Sequence, residues 1–230
     1  MSEKKAWDES YKNKDNYVFY PHEEVIRFMS KFVAKQVGIG SYDTKHGCNY
    51  TPKLLDFGCG IGRHVKLAHD FKVEGYGIDI SNEAIKAGRQ MMVEMGVPEL
   101  AERLIEGEGQ GMPFDDGMFD FVVSHGVLDS MPFDTAMESM KEISRCMNAN
   151  GLAYIDLVSG DDLAHHPEYR DEVVVDTQHE KNTVQSYFNW TKVCELVSGE
   201  FEVVDAVLSK RSSLLNRVSS SRYHLVLRKK

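Results

Sequence analysis

Two carboxylates and a run of glycines carry the first chemistry in this chain. Residues 54–64 read Leu-Leu-Asp-Phe-Gly-Cys-Gly-Ile-Gly-Arg-His, and Asp79 ends the next apolar run, 23 positions after Asp56. Glycine at 58, 60 and 62 admits positive φ and lets a ligand approach the backbone without meeting a Cβ. A helix starting near Gly62 leaves free N–H groups that can bind an anionic group. A carboxylate at the end of the second strand can accept from both hydroxyls of a ribose in charge-assisted hydrogen bonds. The plainer alternative is a strand-end aspartate that caps a turn. Apolar strand, glycine turn, helix and acid-ended strand together are how a Rossmann-like half-fold holds an adenosine-containing cofactor.

The details of the turn discriminate between cofactors. A G-x-G-x-x-G fingerprint started at Gly58 puts its third glycine at position 63, where this chain has Arg63. Asp56, just before the turn, repels a pyrophosphate and suits a ligand that carries positive charge. Both points count against a nicotinamide-dependent oxidoreductase. S-adenosylmethionine carries an ammonium and a sulfonium.

Four segments carry a family resemblance. D-F-G-C-G-I-G-R at 56–63 and Y-G-I-D-I-S at 76–81 resemble the first two motifs of class I S-adenosylmethionine-dependent methyltransferases. E-G-E-G-Q-G-M-P-F-D-D-G-M-F-D-F-V-V-S at 106–124 is similar to the third and fourth, and R-C-M-N-A-N-G-L-A-Y-I at 145–155 to the turn into the fifth strand. The nearest subgroup is the small, single-domain enzymes of quinone and secondary-metabolite biosynthesis (types 11 and 25).

The resemblance implies S-adenosyl-L-methionine as cofactor and S-adenosyl-L-homocysteine as product. It places adenine against Glu108, Gly109 and Gln110, where the family often has Asp at the Glu108 position, and against the apolar face of Ile80. Asp56, Gly58, Gly60, Asp79 and Ser124 join them around the cofactor. Arg63 either touches the cofactor carboxylate or sits on the helix surface, and His64 reads as structural. An N-terminal segment covers the cofactor in relatives, so Tyr11, Tyr17 and Tyr20 are either carboxylate partners or packing anchors, with Tyr11 and Tyr20 preferred. Ser124-His125-Gly126-Val127-Leu128-Asp129 follows the fourth strand beside the expected methyl group. The family commonly has histidine where Asp129 stands. His125 is either a general base or a hydrogen-bonded wall residue; Asp129 and Asp156 are further acceptor-side candidates.

The elements that position these residues follow from periodicity. Pro21 opens a helical pattern through Val37, with Val25, Phe28, Met29, Phe32 and Val33 on one face, and 38–52 reads as a linker. Strands and helices then alternate: strand 53–57, helix 62–71, strand 73–80, helix 82–95 capped by Ser81, strands 103–106 and 119–124, helix 135–147, strand 152–158, helix 189–197, strands 201–209 and 223–227. The alternation predicts an α/β fold with a parallel, doubly wound sheet. The resemblance makes it a seven-stranded, Rossmann-like sheet with helices on both faces and the last strand antiparallel. Residues 1–50 form an N-terminal helical cap segment and 51–230 the core. Residues 159–186 break the rhythm and read as an insertion, a hairpin or lid on the acceptor side.

Composition sets the outer bounds. The 230 residues carry a net charge of −9, which argues against broad nucleic-acid contact. Seven lysines and arginines crowd 210–230 without an acid, either a solvated basic strand or a contact for an anionic acceptor. No apolar run reaches the roughly 18 residues a membrane span needs, and the charged start shows no signal peptide. Cys48, Cys59, Cys146 and Cys194 are too dispersed for a zinc site or a disulfide framework. His165, His166 and His179 match no strong metal signature, so no metal is expected. The expectation is a cytoplasmic methyltransferase acting on O or N of a small, possibly anionic metabolite, with its oligomeric state open. Its rivals are a cofactor-binding module without catalysis and an enzyme with a protein or RNA acceptor.

Overall fold

The computed structural model describes residues 3–177 and 180–230. Its centre is a seven-stranded sheet in the order β10-β11-β7-β6-β3-β4-β5. These strands are β3 (Lys53–Phe57), β4 (Glu74–Asp79), β5 (Leu104–Glu106), β6 (Phe119–Ser124), β7 (Met147–Ser159), β10 (Phe201–Ser212) and β11 (Ser219–Lys229). The strands from β5 to β7 pair in parallel, while β11 runs antiparallel to both β7 and β10. Chain order runs outward from β3 to β5 and then back to β6. The switch in strand order therefore lies between β3 and β6, where an open α/β sheet leaves a crevice beyond the strand ends.

Five core helices and an N-terminal helix surround the sheet: α1 (Glu3–Lys12), α2 (Glu23–Phe28), α3 (Arg63–Asp70), α4 (Asn82–Glu94), α5 (Phe133–Cys146) and α6 (Trp190–Val197). The side chain of Ser81 accepts from Ala84 N–H and caps α4; that of Asn189 accepts from Lys192 N–H and caps α6. One apolar cluster joins α5 and α6 to the sheet through Leu55, Phe119, Ile143, Phe188 and Leu196. A second joins α2 and α3 to the opposite face through Phe28, Leu67, Phe121 and Tyr154. None of the described helices is long and apolar enough to cross a membrane.

Several segments depart from the periodicity. The helix expected from Pro21 to Val37 stops early. His22, not Pro21, caps α2, accepting from Glu24 N–H through its own side chain. A π-helical turn at Met29–Val33 ends the helical run, and the chain reverses in a hairpin of β1 (Ala34–Gly38) and β2 (Ser41–Thr44). Gly40 at φ 68° makes that reversal possible. The expected 38–52 linker thus contains a strand. β7 starts directly after α5 at Met147, and both β10 and β11 are longer than their apolar alternation indicated.

Residues 160–187 leave the sheet and return to it at adjacent points. Ser159 and Phe188 form a bridge, with Phe188 N–H donating to Val158 O and Gly160 N–H to Phe188 O. Inside this excursion β8 (Glu172–Val174) and β9 (Val184–Ser186) make an antiparallel hairpin. Its root is pinned by Lys192, a buried side chain whose Nζ donates to Ser186 Oγ, Tyr187 O and Arg170 O. His179 lies outside the described residues. His165 is spent on Asp162 and on stacking against Tyr169.

The floor of the fold is held by Asp120 of β6, which is buried. It accepts from Tyr50 Oη (2.5 Å), Asn148 Nδ2 (2.5 Å) and Lys53 N–H (2.8 Å), tying the segment before β3 to the sheet. Asp120→Ala leaves these donors unsatisfied and should destabilise the fold by roughly 2–3 kcal/mol. Thermal melting by circular dichroism reads this as a drop of roughly 5–10 °C in Tm.

Candidate active site

The crevice at the switch point holds a cavity of about 280 Å³. Its floor is the loop between β3 and α3. Gly58 N–H and Cys59 N–H both donate to Ile78 O, which clamps the loop to β4. Gly58, Gly60 and Gly62 all have positive φ. A Cβ on Gly58 would lie 2.3 Å from Val127 Cγ2, and one on Gly60 would lie 2.5 Å from Tyr11 Oη. Side chains have no room here, so the backbone itself forms the cradle.

Asp79 stands at the end of β4 against this cradle. Its Oδ2 accepts from Gly60 N–H and its Oδ1 from Ser81 N–H, each at 2.8 Å. Burial pushes the carboxyl up to about 6, against the pull of the two N–H donors and with Asp56 adding to the rise. α1 forms the roof. Lys4 Nζ donates to Ile80 O, and Asp8 Oδ1 accepts from Ser81 Oγ and Glu83 N–H, so the helix is fastened across β4 and α4. Trp7 and Tyr11 of α1 line the cavity; burial raises the Tyr11 phenol well above its ordinary value.

The structure brings together Tyr11, Gly58, Gly60, Arg63, Asp79, Ile80, Gly109, Gln110 and His125 of the residues expected from sequence. The others stand elsewhere. Tyr20 is 85% exposed; only its carbonyl reaches the site, accepting from Arg63 Nη1. Glu108 is exposed and does not line the cavity, so Gly109 and Gln110 form that wall without it. Asp56 and Ser124 are buried at the strand ends beneath the cavity, not on its surface. Asp56 Oδ1 is 3.2 Å from His64 Nδ1, and His22 N–H donates to His64 Nε2, so the Asp56–His64 contact runs N–H to carboxylate. Asp129 is fully buried behind the wall, paired with Arg222 at 2.9 Å.

Other lining residues carried no sequence signal. Glu3, Asn16 and Val18 come from the N-terminal segment, Ser130, Met131 and Thr135 from the start of α5 and the loop before it, and Glu180 from the excursion. None belongs to a motif. Only the topology that lays the N-terminal segment, the start of α5 with the loop before it, and Glu180 against the crevice brings them there. Arg63 and His125 line the same wall, with Arg63 Nη2 3.2 Å from His125 Nδ1. Among the described residues no group of three or more His, Cys, Asp or Glu is placed to hold a metal ion.

The cavity fits an adenosine-containing cation. The cradle excludes Cβ atoms, Asp79 offers buried acceptor oxygens, and Asp56 Oδ2 and Ser124 Oγ lie beneath it without hydrogen-bond partners. The first of these can be tested directly. Gly58→Ala forces a left-handed Ala, at about 1–2 kcal/mol, and drives a methyl group into Val127. Urea denaturation should show a loss of roughly 2–4 kcal/mol. Adding Val127→Ala should recover the steric part and leave the backbone part.

Comparison with known proteins agrees with this geometry. Residues 55–155 match the profile of the family described as "Methyltransferase domain". A sarcosine/dimethylglycine N-methyltransferase of Halorhodospira halochloris is 29% identical over 150 residues, covering 64% of this chain and 47% of that protein. A demethylmenaquinone methyltransferase of Geobacillus stearothermophilus is 32% identical over 103 residues, 44% of this chain and 42% of its own length. The matched stretches thus span less than half the length of these curated relatives. A SAM-dependent methyltransferase from Methanosarcina mazei has the same fold, with a TM-score of 0.63 at 18% identity, over 79% of this chain and 94% of that one. The profile thus matches the segment that builds the cradle, and the fold shared beyond it is that of an S-adenosylmethionine-dependent methyltransferase.

Proposed function

We propose that this protein transfers a methyl group from S-adenosylmethionine to a nitrogen or oxygen of a small molecule. One observation carries the reading: the Asp79 carboxylate, its oxygens oriented by Gly60 and Ser81 N–H, faces a cradle that admits no side chain. In this reading Asp79 accepts from the ribose hydroxyls. Ile80 and the Gly109–Gln110 backbone border the adenine, and the roof of Trp7 and Tyr11 excludes water. When bound, S-adenosylmethionine supplies a methyl group already activated on a sulfonium, so the protein's task is mainly alignment and desolvation.

The acceptor enters from the side of His125, Ser130, Met131 and Thr135, where Glu180 also reaches the cavity. The relatives that modify sarcosine or dimethylglycine and ajmaline are N-methyltransferases by name, which supports an amine as one acceptor class. The basic C-terminal segment supports an anionic acceptor less than its composition implies. Lys210 pairs with Asp161, Arg228 with Glu202 and Arg222 with Asp129 and Asp156. An acidic group on the acceptor would instead meet Arg63, the arginine on the cavity wall.

Purified protein with methyl-labelled S-adenosylmethionine and fractionated cell extract tests the reading. Label in the small-molecule fraction is the expected result. Label only in protein or RNA overturns the acceptor class, and binding of S-adenosylhomocysteine without any transfer favours a non-catalytic binding module. Asp79 gives a second test. Its ionised form is the acceptor, and its carboxyl titrates at about 6. Affinity for S-adenosylhomocysteine should therefore hold from pH 8 to 7 and fall below pH 6, by about tenfold per unit at the steepest. Calorimetric titration that shows a flat affinity down to pH 5, together with unchanged affinity in Asp79→Asn, would remove Asp79 from the site.

A further inference from the structure

The two ring nitrogens of His125 have different surroundings. Arg63 Nη2 lies 3.2 Å from Nδ1. A guanidinium only donates, so Nδ1 must carry the lone pair and Nε2 the proton. Nε2 lies 3.4 Å from Asp156 Oδ2, a contact of charge and not a hydrogen bond, and neither atom has a hydrogen-bond partner among the described residues. Asp156 is fully buried in β7, and its Oδ1 accepts from Gly126 N–H at 2.7 Å. Its Oδ2 is 3.0 Å from Arg222 Nη1, which is 2.9 Å from Asp129 Oδ2. Asp129 Oδ2 in turn accepts from Val158 N–H at 2.8 Å.

Two carboxylates thus share one guanidinium, a net charge of minus one directly behind the His125 ring. Six buried side-chain polar atoms lack hydrogen-bond partners among the described residues. Four of them belong to this chain of groups: His125 Nε2, Asp156 Oδ2, Arg222 Nη1 and Asp129 Oδ1. A buried arrangement held by charge rather than by saturated hydrogen bonding is expensive, since each unsatisfied group costs about 1–3 kcal/mol. A purely structural wall would be cheaper to build from apolar side chains.

We propose that Asp156, held by Arg222 and Asp129, is a positioning residue that acts with Arg63 on the opposite nitrogen to fix His125 in the tautomer with its proton on Nε2 and its lone pair on Nδ1, toward Arg63 and the cavity. The role of that lone pair rests on the transferase reading; the tautomer does not. When an acceptor N–H or O–H is methylated, a lone pair of the acceptor atom would form the new bond to carbon, the carbon–sulfur bond of the donor would break with its pair going to sulfur, and the acceptor proton would pass to Nδ1, leaving its bonding pair on the acceptor atom. The imidazolium so formed faces the negative Asp129–Arg222–Asp156 group, and the proton then leaves to solvent. Arg63 holds the same lone pair in the structure described, so a ligand carboxylate that draws Arg63 away would free it.

The surrounding charges agree. Burial lowers the His125 ring to about 3; Asp156 opposes this, while His22, Arg63 and His64 add to it, so the ring is neutral at working pH and its tautomer is what matters. Burial alone would raise the Asp156 carboxyl, but Arg222, His125 and Gly126 N–H outweigh it and keep the group ionised. Asp129 moves the other way, raised by burial to about 6 despite Arg222. His224 stands beyond Asp156 on β11, engaged with Tyr154 Oη at 2.9 Å.

The test is a two-bond proton–nitrogen spectrum of the histidine-labelled full chain at neutral pH, with the His125 signals assigned from their loss in His125→Gln. The expected wild-type pattern is an unprotonated Nδ1 and a protonated Nε2. Asp156→Asn leaves the Asp129–Arg222 pair neutral, so the variant should fold; it should mix or reverse the tautomers. Its kcat should fall roughly 10–100-fold, with S-adenosylhomocysteine affinity within about twofold, because Asp156 does not line the cavity. A proton on Nδ1 in the wild type overturns the proposal, and so do unchanged ring shifts in Asp156→Asn. The wild-type spectrum decides even if the variant fails to fold. A chain with the expected tautomer and no methyl transfer would count against the transferase reading alone.

Discussion

The buried Asp79 carboxylate is the constraint around which the donor half of this molecule is arranged. Its two oxygens orient Gly60 N–H and Ser81 N–H, and so set the shape of the glycine loop and the start of α4 at once. Ser81 then passes the constraint outward. Its hydroxyl donates to Asp8 and accepts from Ala84 N–H, so the roof helix and the α4 cap hang on the same side chain. Burying this carboxylate is unfavourable: a shift from the ordinary value to about 6 corresponds to roughly 3 kcal/mol against the fold at neutral pH. By linkage that penalty is present above the folded value and relieved as the group protonates below it. In the proposed reading, that unfavourable charge at a strand tip beside a cavity is held for the ligand.

The wall around His125, the acceptor side in the proposed reading, follows a different principle. There the groups are spread over four elements, with Arg63 on α3, His125 after β6, Asp156 on β7 and Arg222 on β11. Each is meaningful only through its neighbour. The sheet makes this economical, because antiparallel pairing of β11 with β7 places Arg222 opposite Val158, two residues beyond Asp156. Glycine geometry does on the donor side what charge does here. One half is rigid because side chains are absent, the other because charged side chains constrain one another.

The difference explains what could be read from the chain of letters. The glycine loop, Asp79, the Ser81 cap and the strand–helix alternation are local, and each leaves its signature within a few residues. The parallel, doubly wound sheet followed from that alternation, and its antiparallel last strand from the family resemblance. Arg222 looked like one member of a basic tail because its partners, Asp129 and Asp156, are 93 and 66 positions away. Asp129 seemed to face the cavity because its loop does, but its side chain turns inward to Arg222 and Val158 N–H. Glu108 followed from the motif, yet its side chain is exposed and only its neighbours Gly109 and Gln110 line the cavity. The helix from Pro21 broke at Met29 for a reason periodicity does not register: Phe28, Met29 and Val33 are all buried, so the π turn lets the segment keep its apolar face down while the chain reverses into a hairpin.

The bridge between Ser159 and Phe188 gives the excursion a property its sequence does not display. Its two ends are neighbours in the sheet, and its described residues are fastened further by Ser186 N–H donating to Asp129 O and Leu163 N–H donating to Ser219 Oγ. Such a segment can change in length or composition while the strand register and the donor cradle stay as they are, since loop-closure entropy grows only slowly with length. Grafts between proteins of this fold therefore have a natural pair of splice points at Ser159 and Phe188.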